Sequence, residues 1–330
     1  MRKLFIIVAA GTVLALTGWV LTPPGINSTF KPLVTITPNM AKGPDEWVRW
    51  QDNIIDTSYG IVPGAEQRIL WRQQDERTEY AVVYLHGFSA SRQEIAPVPE
   101  MVAAGLGANL FEARLAGHGL ETSRLENVSA EHWIGDAVVA LAIGAKLGDK
   151  IVLISTSTGG TLSLALLGHP TMRNVDSLIM ISPNIEPADP KAKWLTRPVG
   201  PLIARLITGG TRSWTARNEL QERFWTTSYP IEAAVEAMRL VNYANTKLPM
   251  KIQQNLLMFV SPGDQVVSPQ AARWAFDAMQ APTKRLVEIE PVENTSNHVL
   301  AGDILSPENN ERVATEILNF VRNARSRPSP

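Results

Sequence analysis

The chain has 330 residues, of which 45% are hydrophobic, and its formal net charge is −1. This length suits one large α/β domain with an insertion, or two domains. A balanced charge without a basic cluster argues against nucleic acid as a partner. Because the sequence contains no cysteine, disulfide bonds, thiolate metal sites and a cysteine nucleophile are excluded.

Residues 1–22 are predicted to form a membrane anchor or a signal segment. Arg2 and Lys3 precede an uncharged apolar run from Leu4 to Leu21. That run is near the short limit for a transmembrane helix and is long for the core of a signal peptide. We favour an uncleaved anchor, and export after signal cleavage is the alternative. Basic residues remain cytoplasmic, so the rest of the chain is predicted to lie outside the cytoplasm, at the cell membrane.

Residues 23–44 are predicted to be a linker, because they are rich in Pro, Thr, Asn and Gly and show no helical or strand periodicity. The folded domain is expected to occupy residues 45–330. It should open with a short helix that carries two tryptophans. Two extended runs, 54–58 and 66–72, then suit edge strands with one face in water.

Buried strands separated by helices follow, a rhythm that predicts right-handed crossovers and a mostly parallel, doubly wound sheet. The rhythm stops between residues 186 and 250, where several short helices are expected to form a cap inserted after the sixth strand. The aromatic residues of this cap suit either its own core or the wall of an acyl pocket. Predicted strands are 81–85, 109–115, 151–154, 175–181, 255–260 and 285–289, and predicted helices are 92–106, 129–147, 269–279 and 307–321.

The turn after the central strand, residues 155–159, has the pattern Ser-x-Ser-x-Gly. It differs by one residue from the nucleophile elbow Gly-x-Ser-x-Gly, which exposes a serine on a sharp strand-to-helix turn. Small residues flank that serine because the strand and the helix pass very close to each other. Ser157 is therefore the candidate nucleophile, with Ser155 and Gly159 in the small positions. These five residues alone also suit a small-residue loop without chemistry.

Two further candidates follow late strands, and the three fall in the order Ser157, Asp264, His298. This order is the one expected of α/β-hydrolases, and it differs from that of chymotrypsin-like and subtilisin-like enzymes. Active groups in open parallel sheets gather at the carboxyl ends of the strands. We therefore expect these three side chains to meet at one edge of the sheet.

Three further motifs carry a family resemblance. They are His-Gly-Phe at 86–88, Arg-x-x-Gly-His-Gly at 114–119 and Gly-Asp-x-Val-Val at 263–267. With the serine elbow between them, the sequence resembles the α/β-hydrolases over roughly residues 45–321, most closely their esterase and monoacylglycerol-lipase-like members. Ser155 departs from the pattern, because the family usually has glycine there.

The resemblance implies hydrolysis of a carboxylic ester through an acyl-enzyme intermediate. His298 would take the proton of Ser157, while Asp264 would orient the imidazole and stabilise the imidazolium. The backbone N–H groups of Phe88 and Thr158 would stabilise the tetrahedral oxyanion. Neither a metal nor a cofactor is expected. The expected partner is a small acyl ester, and contact with membrane lipid is left open.

Two alternatives stay open from the sequence. The same three residues would serve a serine peptidase or amidase of this fold, and an inactive hydrolase fold would serve as a binding protein. Asp303 and Glu293 are weaker candidates for orienting the histidine, and Ser155 and Ser163 are weaker candidates for the nucleophile. The remaining histidines are expected to be structural: His86, His118, His132 and His169.

Overall fold

The computed structural model describes residues 43–122, 124–291 and 296–325. The predicted anchor, 1–22, and nearly all of the predicted linker, 23–44, lie outside these ranges. Within the ranges, no helix combines the length and the apolar composition that crossing a membrane requires.

Strands and helices alternate along most of the chain, and short 3₁₀ helices join several of them. The strands of the described ranges are β1 (Arg68–Leu70), β2 (Thr78–Leu85), β3 (Asn109–Glu112), β4 (Gly148–Thr156), β5 (Val175–Ile181), β6 (Thr211–Ser213), β7 (Ser228–Pro230), β8 (Met250–Lys251), β9 (Asn255–Val260), β10 (Met279–Gln280) and β11 (Lys284–Glu288). The α-helices of the same ranges are α1 (Pro44–Tyr59), α2 (Val98–Leu106), α3 (Ala130–Leu147), α4 (Thr158–Ala165), α5 (Gly200–Thr208), α6 (Glu219–Phe224), α7 (Ile231–Asn245), α8 (Pro269–Ala278) and α9 (Asn310–Arg325).

Seven strands form the central sheet, in the order β1-β3-β2-β4-β5-β9-β11. Every neighbouring pair is parallel except β1 and β3, which pair antiparallel at one edge. The predicted α/β fold with a mostly parallel, doubly wound sheet is therefore confirmed. Since parallel strands end at the same edge, the loops that follow β2, β4, β9 and β11 approach one another there.

Hydrophobic clusters cover both faces of the sheet. Ile151 and Leu153 of β4 belong to one cluster, and Val152 and Ile154 belong to the other. Successive side chains of a strand point to opposite faces, so this division means that β4 is buried on both sides. Helices α3 and α4 contribute to the first cluster, and α2 and α9 contribute to the second. This packing fixes the position of the end of β4, where Ser157 lies.

The start of the domain differs from the prediction. The run 54–58 is not an edge strand, because it belongs to helix α1, which is also longer than expected. Val48, which is buried, and Ile55, which is half-buried, lie two helical turns apart in α1, a spacing that fits a helical period. The second run is confirmed as the edge strand β1. With one strand fewer before it, the predicted cap is inserted after the fifth strand of the chain, not the sixth.

The inserted segment, residues 186–250, contains α5, α6, α7 and the antiparallel pair of β6 and β7, and none of its strands joins the central sheet. It contacts the loop after β2, because the N–H of Thr226 donates to the carbonyl of Ser89 at 2.7 Å. Tyr229 is buried, whereas Trp194 is 67% exposed. The aromatic residues of the segment thus divide between packing and surface.

Gly159 allows α4 to pass very close to β2. A Cβ atom on Gly159 would lie 2.2 Å from the carbonyl oxygen of Leu85, and backbone cannot move aside as a side chain can. We expect Gly159→Ala to lower the free energy of unfolding by more than about 4 kcal/mol, measured by chemical denaturation.

Gly209→Ala is the matched control for this substitution. A Cβ atom there meets nothing within 4 Å, although the residue has a left-handed φ of +66°. The expected cost is about 1–2 kcal/mol, from the backbone conformation alone. Equal losses of stability in the two variants would contradict the close approach of α4 to β2.

Candidate active site

The three predicted site residues meet at the carboxyl edge of the sheet. His298 Nε2 lies 2.9 Å from Ser157 Oγ, and His298 Nδ1 lies 2.9 Å from Asp264 Oδ2. Ser157 follows β4, Asp264 follows β9, and His298 follows β11. All three residues are more than nine-tenths buried. The structure therefore brings these predicted residues together in one hydrogen-bonded chain.

The direction of these hydrogen bonds follows from the chemistry of the partners. A carboxylate offers only acceptors, so the proton of the imidazole lies on His298 Nδ1 and points to Asp264. The Nε2 atom of the neutral ring then has a lone pair, which accepts the Ser157 hydroxyl. In this arrangement the ring is ready to take a proton from Ser157.

Asp264 is itself held by backbone groups. Its Oδ1 atom accepts hydrogen bonds from the N–H groups of Val266 at 2.8 Å and Val267 at 3.0 Å. The N–H of Gln265 donates to the carbonyl of Ser296 at 2.9 Å, which links this loop to the one that carries His298. The carboxylate and the imidazole are therefore fixed relative to each other by the main chain.

The charges around His298 favour its protonated form. Burial disfavours the imidazolium, but the Asp264 carboxylate, hydrogen-bonded to the ring, and the negative charge of Glu94 outweigh burial and raise the pKa of His298. By contrast, burial together with the neighbouring His118 lowers the pKa of His86 to about 3. Among these histidines, the one beside Ser157 is thus the one whose surroundings stabilise a gained proton.

Ser157 has the backbone conformation of a nucleophile elbow. Its φ and ψ angles are +51° and −113°, outside the regions that serine normally occupies. The strained turn is held by two hydrogen bonds, since Ser157 N donates to Ile181 O at 2.9 Å and Asn184 N donates to Ser157 O at 3.0 Å. Strain of this kind persists only where the surrounding structure determines it, and it concentrates at functional sites.

Ser155 fits the elbow although it replaces the usual glycine. Its hydroxyl is fully buried and donates to the carbonyl of Ile179 on the neighbouring strand β5 at 3.0 Å. The side chain is therefore used within the sheet and does not reach His298 in the described contacts. The close approach at the other small position, Gly159, is preserved.

The two predicted oxyanion donors belong to the elements next to Ser157. Thr158 is the first residue of α4, so its N–H has no partner within the helix. Phe88 follows Gly87, where an added Cβ atom would lie only 3.1 Å from Ser157 Cβ. The lack of a side chain on Gly87 thus allows the loop after β2 to lie against Ser157. The role of these two N–H groups in catalysis stays a prediction.

The side chain of Phe88 anchors its backbone. Its ring makes edge-to-face contacts with three other rings, at centroid distances of 5.9 Å to His118, 5.8 Å to Trp133 and 4.9 Å to Tyr229. Such contacts contribute about 0.5–1.5 kcal/mol each beyond the burial of area. Because Tyr229 comes from the inserted segment, this segment helps to position the loop after β2.

Glu94 is a residue of the site that the sequence did not reveal. Its Oε2 atom accepts hydrogen bonds from Gly87 N at 2.7 Å and from the hydroxyl of Tyr84 at 3.0 Å. It lies in a short 3₁₀ helix, Arg92–Glu94, within a stretch predicted to be an ordinary helix. No motif marks it, because only the folding of this turn onto the end of β2 brings it to the site.

The weaker candidates are occupied elsewhere. Asp303 Oδ1 accepts from the side-chain amide of Asn310 at 2.6 Å, and Ser163 Oγ donates to Gly159 O at 3.1 Å within α4. Glu293 lies outside the described residues. The other histidines hydrogen-bond to loops and helix ends, as predicted: His86 and His118 bond to the carbonyls of Gly87 and Ala116, and His132 and His169 accept from the N–H groups of Ser129 and Thr171.

Within the described ranges, no group of three or more His, Asp or Glu side chains is placed to hold a metal ion. The prediction that the reaction needs neither a metal nor a cofactor is not tested by this finding and stays a prediction.

The sheet, the elbow and the Ser157–His298–Asp264 chain define an α/β-hydrolase. A family described as serine aminopeptidase, S33, matches residues 76–292, which is more than half of the chain. The chain belongs to this hydrolase family. The fold class expected from the sequence motifs is thereby confirmed.

Lipases and esterases stand among its relatives. A thermostable monoacylglycerol lipase from Bacillus sp. (strain H-257) is 24% identical, over 77% of this chain and 94% of that lipase. A solved structure from work on LipS and LipT, two metagenome-derived lipolytic enzymes, has a TM-score of 0.63 and 20% identity, over 80% of this chain and 99% of that one. The monoacylglycerol lipase of Paleococcus ferrophilus has a TM-score of 0.58 and 16% identity, over 78% and 98%. The resemblance to lipase-like and esterase-like hydrolases is confirmed.

The environment of Ser155 predicts how its substitutions will behave. Ser155→Gly removes one buried hydrogen bond but leaves the elbow open, so we expect about 1 kcal/mol of lost stability and activity within a few fold of the original. Ser155→Val adds bulk at a fully buried position and should lower the melting temperature further. The measurements are thermal unfolding and hydrolysis of a chromogenic ester.

A loss of activity in Ser155→Gly as deep as that in Ser157→Ala, with the fold retained, would contradict this account. It would mean that the Ser155 hydroxyl has a chemical role.

Proposed function

We propose that the chain is a serine hydrolase that cleaves carboxylic esters, with Ser157 as nucleophile, His298 as general base and acid, and Asp264 as the group that orients His298. The observation that carries this proposal is the continuous hydrogen-bonded chain of these three residues, with 2.9 Å at each step. The strained elbow at Ser157 supports the same assignment.

The reaction follows from this geometry. Ser157 Oγ attacks the ester carbonyl carbon while its proton moves to His298 Nε2, which gives a tetrahedral intermediate. The N–H groups of Phe88 and Thr158 donate to the oxyanion, and one such donor is typically worth about 3–4 kcal/mol in the transition state. The imidazolium then protonates the leaving alkoxide oxygen, and the acyl group stays on Ser157. His298 then takes a proton from water, whose oxygen attacks the acyl carbon. The bond from this carbon to Ser157 Oγ breaks, the imidazolium returns its proton to Oγ, and the acid leaves.

Ester hydrolysis is the preferred reaction because the relatives are named as lipases or lipolytic enzymes. The description of the family as a serine aminopeptidase favours a second candidate, cleavage of an amide bond. The two reactions differ in the leaving group, an alkoxide or an amine, and the same imidazolium would protonate either. A panel of p-nitrophenyl esters of graded chain length against aminoacyl anilides distinguishes them.

Substitution of the three residues tests the assignment directly. Ser157→Ala and His298→Ala should each lower kcat by about four to six orders of magnitude, because residues that act as one unit lose their function together. Asp264→Asn should lower kcat by about 10⁴-fold, since it disturbs the tautomer of His298. Circular dichroism of each variant confirms that the fold is retained.

An inactive hydrolase fold that only binds would give a different result. The unmodified protein would then show no turnover on any ester or anilide, and an active-site fluorophosphonate would label it no better than Ser157→Ala. Folded Ser157→Ala with the original esterase activity would also contradict the proposal.

We further propose that the catalytic domain lies outside the cytoplasm and is held at the cell membrane by residues 1–22. Support comes from the sequence, where two basic residues precede an apolar run without charge. The alternative of an exported chain, cleaved after a signal segment, gives the same side of the membrane. Membrane fractionation followed by N-terminal sequencing of the mature chain separates the two.

The surface of the inserted segment suits contact with a lipid interface. Trp194 is 67% exposed, and helix α5 presents Leu206 at 76% and Ile207 at 79%. Arg197 and Arg212 are exposed in the same segment, and cations beside apolar side chains favour an anionic membrane surface. Large exposed apolar patches on proteins often mark sites of interaction with a membrane or a partner.

A cavity that shares Trp194, Ile207 and Arg212 with this surface suits an alkyl chain. It has a volume of about 580 Å³, and its wall includes the apolar side chains of Ile203, Ile207 and Val266. Val266 is the residue whose N–H binds the Asp264 carboxylate, so the cavity reaches the loop that carries Asp264. An amphiphilic ester, with its acyl chain near α5, is therefore the proposed substrate class.

Vesicle binding tests the lipid contact. A shortened chain that begins at Gly43 keeps α1 intact and lacks the predicted anchor, and it should still hydrolyse short-chain esters. It should sediment with vesicles that contain anionic phosphatidylglycerol, and Trp194→Ala combined with Leu206→Ser should reduce the bound fraction several fold.

Trp274→Ala is the matched control, because Trp274 is 53% exposed on α8, outside the inserted segment. It should leave vesicle binding unchanged. If the shortened chain ignores the vesicles, or if the control variant loses as much binding as the double variant, the proposed lipid contact is wrong.

A further inference from the structure

Glu94 is an acidic side chain at the site that the steps above do not use. It is only 2% exposed, and its Oε2 atom accepts from Gly87 N at 2.7 Å and from Tyr84 Oη at 3.0 Å. Two donors on one oxygen favour the ionised carboxylate. Burial opposes this and raises the pKa of Glu94, while the hydrogen bond from Gly87 and the charge of the nearby His298 act in the other direction.

The carboxylate of Glu94 and the side chain of Ser157 both lie close to the position that a side chain on Gly87 would occupy. A Cβ atom on Gly87 would lie 2.6 Å from Glu94 Oε1 and 3.1 Å from Ser157 Cβ. Gly87 therefore packs closely against both Glu94 and Ser157, and its N–H is held by the carboxylate. The next residue along the chain is Phe88, whose N–H is the proposed oxyanion donor.

Glu94 is also connected to the residue before Ser157. The hydroxyl of Tyr84, which donates to Glu94, lies 3.3 Å from Thr156 Oγ1. Tyr84 is fully buried at the end of β2, and Thr156 ends β4. Glu94 therefore joins the loop after β2 to the end of the strand that carries the elbow, through atoms that are nearly all shielded from water.

The loop after β2 needs such support. Ser89 has a φ of +63°, a left-handed conformation that is unfavourable for serine. Without Glu94 as acceptor, the buried N–H of Gly87 would have no hydrogen-bond partner, which is unfavourable in free energy, and the loop would shift to satisfy it. A shift of about 1 Å at an oxyanion donor is enough to weaken transition-state stabilisation strongly.

We propose that Glu94 is a positioning residue of the site, which holds the Gly87–Phe88 peptide in place for the oxyanion and adds a second negative charge near His298. The proposal rests on the proposed function, because it assumes the roles given above to Phe88 and His298. It assigns to Glu94 two separable effects, one through its hydrogen bonds and one through its charge.

Two substitutions separate these effects. Glu94→Ala removes the acceptor, so kcat for a short-chain ester should fall by about 10- to 100-fold while KM changes by less than about threefold. Glu94→Gln keeps an oxygen that can accept from Gly87 and Tyr84, so kcat should stay within about tenfold of the original. Loss of the charge destabilises the imidazolium of His298 but also removes a repulsion between Glu94 and the oxyanion. The two effects on kcat have opposite signs and partly cancel.

The pH profile reports the charge. Asp264 and Glu94 are the acidic groups that raise the pKa of His298, and His298 must be neutral to act as base. Removing the Glu94 charge lowers the His298 pKa, so the acid limb of kcat/KM against pH should move to lower pH in Glu94→Gln. Tyr84→Phe, which keeps the carboxyl group and removes one hydrogen bond to it, should move that limb less than Glu94→Gln does.

Glu112→Gln is the control for loss of a buried acid. Glu112, at the end of β3, is fully buried and pairs with Arg68 of β1 and with Arg92. It is not among the groups that shift the pKa of His298. This variant should lose stability but keep the acid limb of the original. All profiles are measured on the full chain, with melting temperatures recorded for each variant.

Each outcome decides one question. If Ser157→Ala is inactive but both Glu94 variants keep the original kcat and pH profile, Glu94 has no positioning role and the proposed function stands. If Glu94→Gln loses kcat as deeply as Glu94→Ala, or its acid limb does not move, the separation of the two effects is wrong. Activity retained in Ser157→Ala would instead overturn the proposed function.

Discussion

The hydrogen bond of 2.9 Å between Ser157 and His298 is the interaction on which the site depends. It joins residues that are 141 positions apart in the sequence, and it forms because the strands before them are parallel and end at one edge. Main-chain hydrogen bonds hold the elements that set the distance between Ser157 and His298. Ser157 N bonds to Ile181 O across the sheet, and Gln265 N bonds to Ser296 O between the loops of the other two residues. Backbone hydrogen bonds thus determine the relative positions of the three side chains of the site.

The site requires backbone segments to pack very close together, which is possible only where a residue has a small side chain or none. Gly159 brings α4 within contact of β2, and Gly87 brings the next loop within contact of Ser157. Both Ser157 and Ser89 have positive φ angles, which are unfavourable for serine. Backbone hydrogen bonds hold Ser157 in this conformation. Ser89 is held on one side by Gly87, whose N–H donates to Glu94, and on the other by Thr226 of the inserted segment, whose N–H donates to the carbonyl of Ser89. The inserted segment and the buried acid are therefore parts of one support around the same loop.

The sequence predicted those features that depend on local pattern. Buried parallel strands appear as apolar runs, and the elbow appears as small residues around Ser157, so both could be read before the structure. The later part of helix α1 was missed, because the run 54–58, taken alone, is too short to separate a helical period from a strand period. Glu94 was missed for a different reason. Its role comes from a 3₁₀ turn that folds against the end of β2, and an acidic residue within a predicted helix gives no sign of burial.

Trapping of the covalent intermediate tests the central claim, that Ser157 carries the acyl group. The full chain is mixed with a slowly deacylated ester, quenched in acid, digested with trypsin and sequenced by mass spectrometry. The account predicts the mass of the acyl group on the peptide from Ile151 to Arg173, with fragment ions that place it on Ser157. An adduct on Ser155 or Ser163 of the same peptide, or turnover without any adduct under conditions where deacylation limits the rate, would contradict it.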